Sequence, residues 1–463
     1  MIPAWSVILV ALAYLCGLFA VAHMADTSGR RMMMAGRART TIYALALGVY
    51  CTSWTFYGSV GFASRAGFDF LGIYVGPILV IGLGHRFVAR IVTIAKSQNI
   101  TSIADFVGAR YGKSERVAAL VCLVAVIGAL PYIALQLKAV ANSLSVFLIA
   151  TGGQALTPDV PVLSDLAFLV AMVLAGFACA FGTRHIDATE HQDGLVLAIA
   201  VESLIKLVAF LVLGVFVVYG LFDGFGDLLA KAANPPSGAP PIWERTSNWP
   251  TFLTLTLLSA CASLLLARQF HMAIVENRDP RDVRRAAWMF PLYLILINLF
   301  VLPLAMAGEL FLPGPGVDRD MTVLLLPLQQ QANLLALLVF VGGLSAATAM
   351  VIVASVALAI MISNHLVMPL LLRGRRGLTD PNRVTEPESD NGASGGDLGS
   401  QVVIIRRIAI LIVILLGYAY YRAAGEAALV SIGLLSFAAT AQIAPAFFGG
   451  LLWRRGTALG AAV

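Results

Sequence analysis

The sequence predicts an all-α, polytopic membrane protein, and three observations carry the prediction. Hydrophobic residues make up 59% of the 463 and charged residues only 12%, with a mean hydropathy of +0.87; a soluble domain carries about 25% charged residues. The apolar residues fall in runs of about 18 or more, the length that crosses a bilayer as a helix. Lys and Arg gather between those runs, in alternate loops.

The spans follow in order. Trp5–Ala25 is followed, not preceded, by its positive charges (Arg30, Arg31, Arg37, Arg39), which favours a retained helix over a signal peptide and places the N-terminus outside. The second span, Thr41–Ala63, carries Gly48, Gly58 and Gly61 and has the polar run Tyr50-Cys51-Thr52-Ser53-Trp54-Thr55 in its middle. In lipid such a stretch is tolerated only where it is buried in protein or lines a cavity, and interrupted helices of this kind hold the midplane sites of secondary transporters. The third span, Phe70–Val92, leads to SIADFVGARYG (Ser102–Gly112), which reads as a short surface helix with a loop. Val117–Ile149, long and containing Pro131, Leu163–Gly182 and His191–Gly220 complete the first half.

A Pro- and Gly-rich loop, Leu221–Asn248, separates them from Trp249–Phe270, which contains Ser259-Ala260-Cys261-Ala262-Ser263. Ala286–Leu310 follows, then a polar connector, Pro313–Gln331, with room for a short helix. Leu334–Leu372 is the ninth span; the polar linker Leu378–Gln401 reads as disordered. Val402–Ala423 and Ala427–Leu452 close the series, and Gly456–Val463 reads as the start of an incomplete further helix.

With the N-terminus outside, the cytoplasmic segments hold 24 of the 31 Lys and Arg and the opposite loops 5, a strong positive-inside bias. Arg268 to Arg285 are counted there as cytoplasmic loop charges.

Several function classes are excluded. The net charge of +6 is scattered between apolar spans, which is not the footprint of a nucleic-acid partner. The five cysteines (Cys16, Cys51, Cys122, Cys179, Cys261) lie inside spans without metal-ligand spacing, so no disulfide framework or zinc site is expected. Phosphate-binding loops, nucleophile elbows and zinc-protease motifs are lacking, so neither an enzyme, nor ATP-driven transport, nor a cofactor is called for.

Polar groups at membrane depth are the candidate site residues. Glu202 and Lys206, four residues apart, share a helix face and can neutralise each other, as a relay or as a structural ion pair. Lys138, with Gln136 nearby, lines a vestibule or snorkels to the interface. Glu190, His191 and Asp193 make a titratable cluster that reads equally as a gate or a solvated helix start. Tyr50, Trp54, Tyr57 and Tyr132 are walls of a substrate cage or packing aromatics. Ser259 and Ser263 sit in a small-residue run that serves binding or close helix packing.

Five segments carry a family resemblance: GVYCTSWTFYGSVG (Gly48–Gly61), SIADFVGARYG, ARQFHMAIVENRDPRDVRRA (Ala267–Ala286), GGLSAATAMVIVASVALAIMISNHLVMP (Gly342–Pro369) and IAPAFFGGLLWRRGTALGA. In their order and placement the chain resembles a sodium/solute symporter, most of all the N-terminal transporter-like domain of bacterial sensor histidine kinases of the histidine-responsive type. The resemblance implies a leucine-transporter-like inverted repeat of five plus five transmembrane helices, over 41–220 and 249–452, with one extra N-terminal helix and a truncated C-terminal one. Spans two and seven would be its discontinuous helices. It implies a bacterial inner-membrane carrier for a small solute, an amino acid such as histidine or proline, coupled to Na+ or H+. Its alternative is a solute-sensing domain with a cytoplasmic kinase partner.

The resemblance also implies where a cation would sit: on carbonyls near Gly48 and Cys51, with Ala346 on span nine. The hydroxyl pair of relatives falls on Ala349 and Met350, or on Thr348 after a small shift. An acid of proline carriers falls on Tyr50, and the relatives' Thr-Asp on Thr189-Glu190. A hard cation needs oxygen ligands, so proton coupling through Glu190, Glu202 or a histidine, or no coupling at all, stands beside sodium coupling. Tyr132 falls where proline carriers place a tyrosine that contacts substrate.

Overall fold

The computed structural model describes residues 4–25, 36–150, 161–162, 165–182, 192–236, 238–314, 316–371, 394–425, 428–453 and 455–462. Among these the secondary structure is helical throughout. Eight helices are long and apolar enough to cross a membrane, and Trp249–Leu265 with Ala267–Val275 forms a ninth, bent by 53°. One of the eight, Trp54–Leu83, is two legs. The chain reverses at Gly67 (φ +56°), where any Cβ would lie 2.5 Å from the Ile242 carbonyl oxygen. The start of the second leg and the end of the third both pack on the start of the eighth, whereas Ser59–Ala66 packs near its end. The 17-residue helix Leu166–Gly182 adds a further leg. The described residues therefore make eleven legs, as the sequence predicts.

They are α1 (Ala4–Met24), α2 (36–66), α3 (67–97), α4 (Glu115–Ala150), α5 (Leu166–Gly182) and α6 (Asp193–Leu221). The second half is α7 (Trp249–Val275, bent), α8 (Asp282–Phe311), α9 (Asn333–Leu371), α10 (Ser394–Ala424) and α11 (Leu429–Leu452). Ten core helices, α2–α6 and α7–α11, form the two inverted repeats, with α1 lying against α6 and α9.

The apolar runs become helices because only a helix satisfies its own backbone in hydrocarbon. The polar run of α2 is where that rule is relaxed. Gly36–Ala46 is α-helical and Leu47–Tyr50 tightens to a 3-10 turn. Cys51 is extended (φ −80°, ψ 100°), and helix resumes through Trp54–Gly58. In α7 the break is a single extended residue, Leu266 (ψ 129°). Span two of the sequence starts five residues early, at Gly36, and span three runs on to Ser97.

Three expectations change. The segment Ile103–Arg110 is a helix, capped by Ser102 Oγ accepting from Asp105 N at 3.1 Å, but it is not a surface helix. Its Phe106 is buried and stacks on Phe447 at 5.1 Å. The Leu221–Asn248 loop contains the helix Phe225–Ala232. The helix of α10 starts at Ser394, inside the linker read as disordered; 378–393 lie outside the described residues. The polar connector holds the expected short helix, Thr322–Gln329.

Candidate functional site

The break in α2 frees backbone groups from the helix ladder, and side chains of other helices take them up. Ser53 N donates to Gln136 Oε1 on α4 at 3.1 Å, and Ser53 Oγ donates to the same oxygen at 2.5 Å. The Thr52 and Tyr132 hydroxyls share a hydrogen bond of 3.0 Å, and Gln136 Nε2 donates to the Tyr132 carbonyl at 3.2 Å. Tyr50 Oη donates to the Ile73 carbonyl at 2.8 Å. All these residues are buried.

On the other side of the break stands Lys206, 1% exposed. Its Nζ donates to the carbonyls of Gly48 (2.8 Å) and Cys51 (2.6 Å). The close approach needs Gly48: a Cβ there would lie 2.7 Å from Ser203 Oγ, one turn before Lys206 on α6. The expected Glu202–Lys206 ion pair does not form. Glu202 Oε1 instead accepts from Thr348 Oγ1 on α9 at 2.6 Å and from Tyr14 Oη on α1 at 2.8 Å. Ser345 Oγ donates to the Glu202 carbonyl at 2.8 Å. Two residues on one face of a helix can each find a better partner on a neighbour, and here both do.

The break in α7 brings Arg268 and Gln269 to the same region. Arg268 is 2% exposed, and its guanidinium carbon lies 4.2 Å from the centre of the Tyr132 ring. Among the described residues, its Nε and Nη2 have no hydrogen-bond partner. This overturns its reading as a loop charge. Gln269 Nε2 makes a long hydrogen bond, 3.4 Å, to the Leu47 carbonyl. Tyr132 stacks on Phe437 of α11 at 5.9 Å and 5°. Trp54, Ile73, Tyr132, Gly433, Leu434 and Phe437 border a crevice too narrow for a water molecule.

Thus Tyr50, Trp54, Tyr132 and Gln136 are brought together, with Gly48 and Cys51 beside them. Tyr57 is not in that cluster: it packs edge-to-face on Phe56 at 5.1 Å and against Gly343 of α9. Ser259 Oγ donates to the Gly72 carbonyl on α3 at 2.9 Å, and Ser263 Oγ to Ala260 in its own helix, so their contacts are those of helix packing. Ala346 and Ala349 are buried, and Ala349 packs among Ala46, Val49 and Met272. Thr348 is the hydroxyl that reaches Glu202. Lys138 caps the end of α10 through the Gly425 carbonyl at 2.9 Å. Glu190 and His191 lie outside the described residues; Asp193 pairs with Arg278.

The groups present do not fit Na+ at the expected position. Both candidate carbonyls already bind an ammonium, Ala346 and Ala349 bring no side-chain oxygen, and the Thr348 hydroxyl is engaged by Glu202. A hard cation wants free oxygens there; Lys206 supplies a covalently tethered one instead.

Ion pairs tie both ends of the bundle. At the end bearing Gly67, Arg245 pairs with Glu309 and donates to the Ser64 carbonyl, while Arg65 pairs with Asp320 at 3.1 Å. Burial raises the Asp320 carboxyl above its ordinary range, with Arg65 acting against that. At the opposite end, Arg39 pairs with Asp282 at 3.1 Å and Glu276 meets His271 at 3.2 Å.

No protein-family model matches the chain. A Bacillus subtilis (strain 168) protein described as the uncharacterized symporter YhjB is 26% identical over 308 residues, 66% of this chain and 58% of that protein. The chain therefore spans a little over half the length of that relative. The uncharacterized symporter YodF of the same organism is 25% identical over 415 residues, 88% of this chain and 73% of that one. Among solved structures, the substrate-bound outward-open state of a Na+-coupled sialic acid symporter superposes with a TM-score of 0.69 at 12% identity. That match covers 98% of this chain and 88% of the symporter. The chain has a symporter's fold. The similarity to these relatives, both described as symporters, points the same way, and neither is described as a kinase.

Proposed function

We propose that the chain is a secondary active transporter that carries a small solute, an amino acid such as histidine or proline, across the bacterial inner membrane by alternating access. The observation that supports it best is the pairing of two broken helices, α2 and α7, whose breaks converge on Tyr132 from opposite repeats. Interrupted helices at the repeat interface are how such folds present backbone and polar groups to a solute. Tyr50, Trp54, Tyr132 and Gln136 form the solute's walls. The repeats extend over 41–220 and 249–452, the N-terminus is extracytoplasmic, and the ion pairs at the two ends open in turn.

Coupling is to a cation. Because the Lys206 ammonium holds the carbonyls of Gly48 and Cys51, the driving ion in this reading is H+ rather than Na+. Glu202, bound to Thr348 and Tyr14, keeps α6 fixed to α9 and α1.

Purified chain in proteoliposomes tests carriage alone by counterflow: vesicles preloaded with unlabelled L-histidine or L-proline should accumulate the labelled compound transiently and saturably. Flat, non-saturable entry of every amino acid offered would contradict the reading.

A further inference from the structure

We infer that Arg268 is the receptor for a carboxylate on the solute, so that the carried compound is a carboxylic acid held at the bend of α7. The inference rests on the carrier reading above and assigns the group that holds the solute's carboxylate.

Arg268 is fully charged at any accessible pH and lies 2% exposed among apolar and aromatic groups. Burying such a group is costly unless it is paired and hydrogen-bonded. Here the pairing is missing. Nε and Nη2 make no hydrogen bond, and among the described residues no ion pair reaches the guanidinium. These two nitrogens lie side by side along one edge of the guanidinium, the edge that grips both oxygens of a carboxylate through two parallel bonds.

Among the described residues, the carboxylates of the neighbouring helices are committed elsewhere. Glu202 accepts from Thr348 and Tyr14, Glu276 meets His271 and accepts from Gln192 N, and Asp193 pairs with Arg278. Lys206 is the nearest comparison. It too is a buried cation, but it is satisfied by two carbonyls. For Arg268 an anion is the missing partner.

One face of the Tyr132 ring is covered by the guanidinium, and Trp54, Ile73, Gly433, Leu434 and Phe437 border a crevice beside that ring that is too narrow for a water molecule.

The test uses the full chain in nanodiscs, with solute binding read by melting temperature and by equilibrium dialysis. The probes are the common L-amino acids and their 2-oxo acids, each beside its carboxamide. At least one acid should stabilise the protein, its amide should bind about 100-fold more weakly, and R268Q should lose the difference between them. R268K, a point charge without the fork, should retain part of it. Equal binding of acid and amide, unchanged binding by R268Q, or no stabilisation by any acid would overturn the inference.

Melting of the solute-free protein gives a second reading. R268M should be at least as stable as the parent, because it removes an unpaired buried charge. A loss as large as that of K206M would mean Arg268 is structural, and would overturn the inference. Acid binding without uptake would sink the carrier reading and leave this one standing; uptake of amides would do the reverse.

Discussion

The two broken helices leave the polar groups at their breaks in opposite states. In α2 the freed groups are bound within the protein: Gly48 and Cys51 carbonyls by Lys206, Ser53 N by Gln136, and the Thr52 hydroxyl by Tyr132. In α7 the single extended residue Leu266 swings Arg268 into the interior and leaves two of its nitrogens without a partner. One break is closed with polar groups from α4 and α6, and the other keeps two nitrogens of a buried guanidinium without a partner among the described residues. In the reading proposed above, the contrast separates a framework, which sets the shape of the site, from a receptor, whose energy is realised only on binding.

Substitutions can break that contrast, and their expected effects fall in order. K206M leaves the buried Cys51 carbonyl without its charged donor, while the Gly48 carbonyl keeps the Cys51 N–H at 3.0 Å, and should cost about 2–3 kcal/mol in urea or thermal unfolding, with uptake lost; if it costs nothing, α2 is not held by Lys206. G48A drives a methyl to within 2.7 Å of Ser203 Oγ and should cost about 2 kcal/mol by overpacking, partly restored by adding S203G. Q136L strands the buried Ser53 N–H and should cost about 1–2 kcal/mol, whereas Q136E, which keeps the acceptor, should bind solute near normally. T348V removes one of two donors to Glu202 and should cost about 1 kcal/mol, with Y14F additive only in part because both act on one oxygen.

A surface pair gives the baseline. Asp227 is held below the usual carboxylate range by the hydrogen bond from Lys231 at 2.7 Å, and it is partly exposed. Any stability it lends is present at neutral pH and lost as pH falls through its folded value; D227N should leave the melting temperature unmoved between pH 5 and 8.

Much of the fold was legible because hydrocarbon forces local regularity. Apolar length marked the eleven legs, and the polar run Tyr50–Thr55 marked the break of α2 to within a residue or two. The site was legible only where its groups share one segment. The partner of Lys206 was not, since i,i+4 spacing points to Glu202 while the carbonyl it binds is 158 residues away. Tyr14 was invisible for the same reason: its role exists only because α1 packs on α6. Arg268 was misread because it sits where an apolar run meets an Arg-rich segment, and composition alone assigns it to the loop. One signal was available: Leu265-Leu266-Ala267-Arg268 continues the apolar run, so its first charge falls where a bend would bury it. Ser259, Ser263 and Tyr57 were drawn in by residue type, and their contacts belong to packing between helices.

The most direct test of the account is solute uptake by proteoliposomes in which Na+ is replaced throughout by choline while an inward proton gradient is maintained. With Lys206 standing where a cation would bind, the rate should be the same in choline as in Na+ and should collapse on adding a protonophore. Uptake that disappears in choline and returns with Na+ would contradict it.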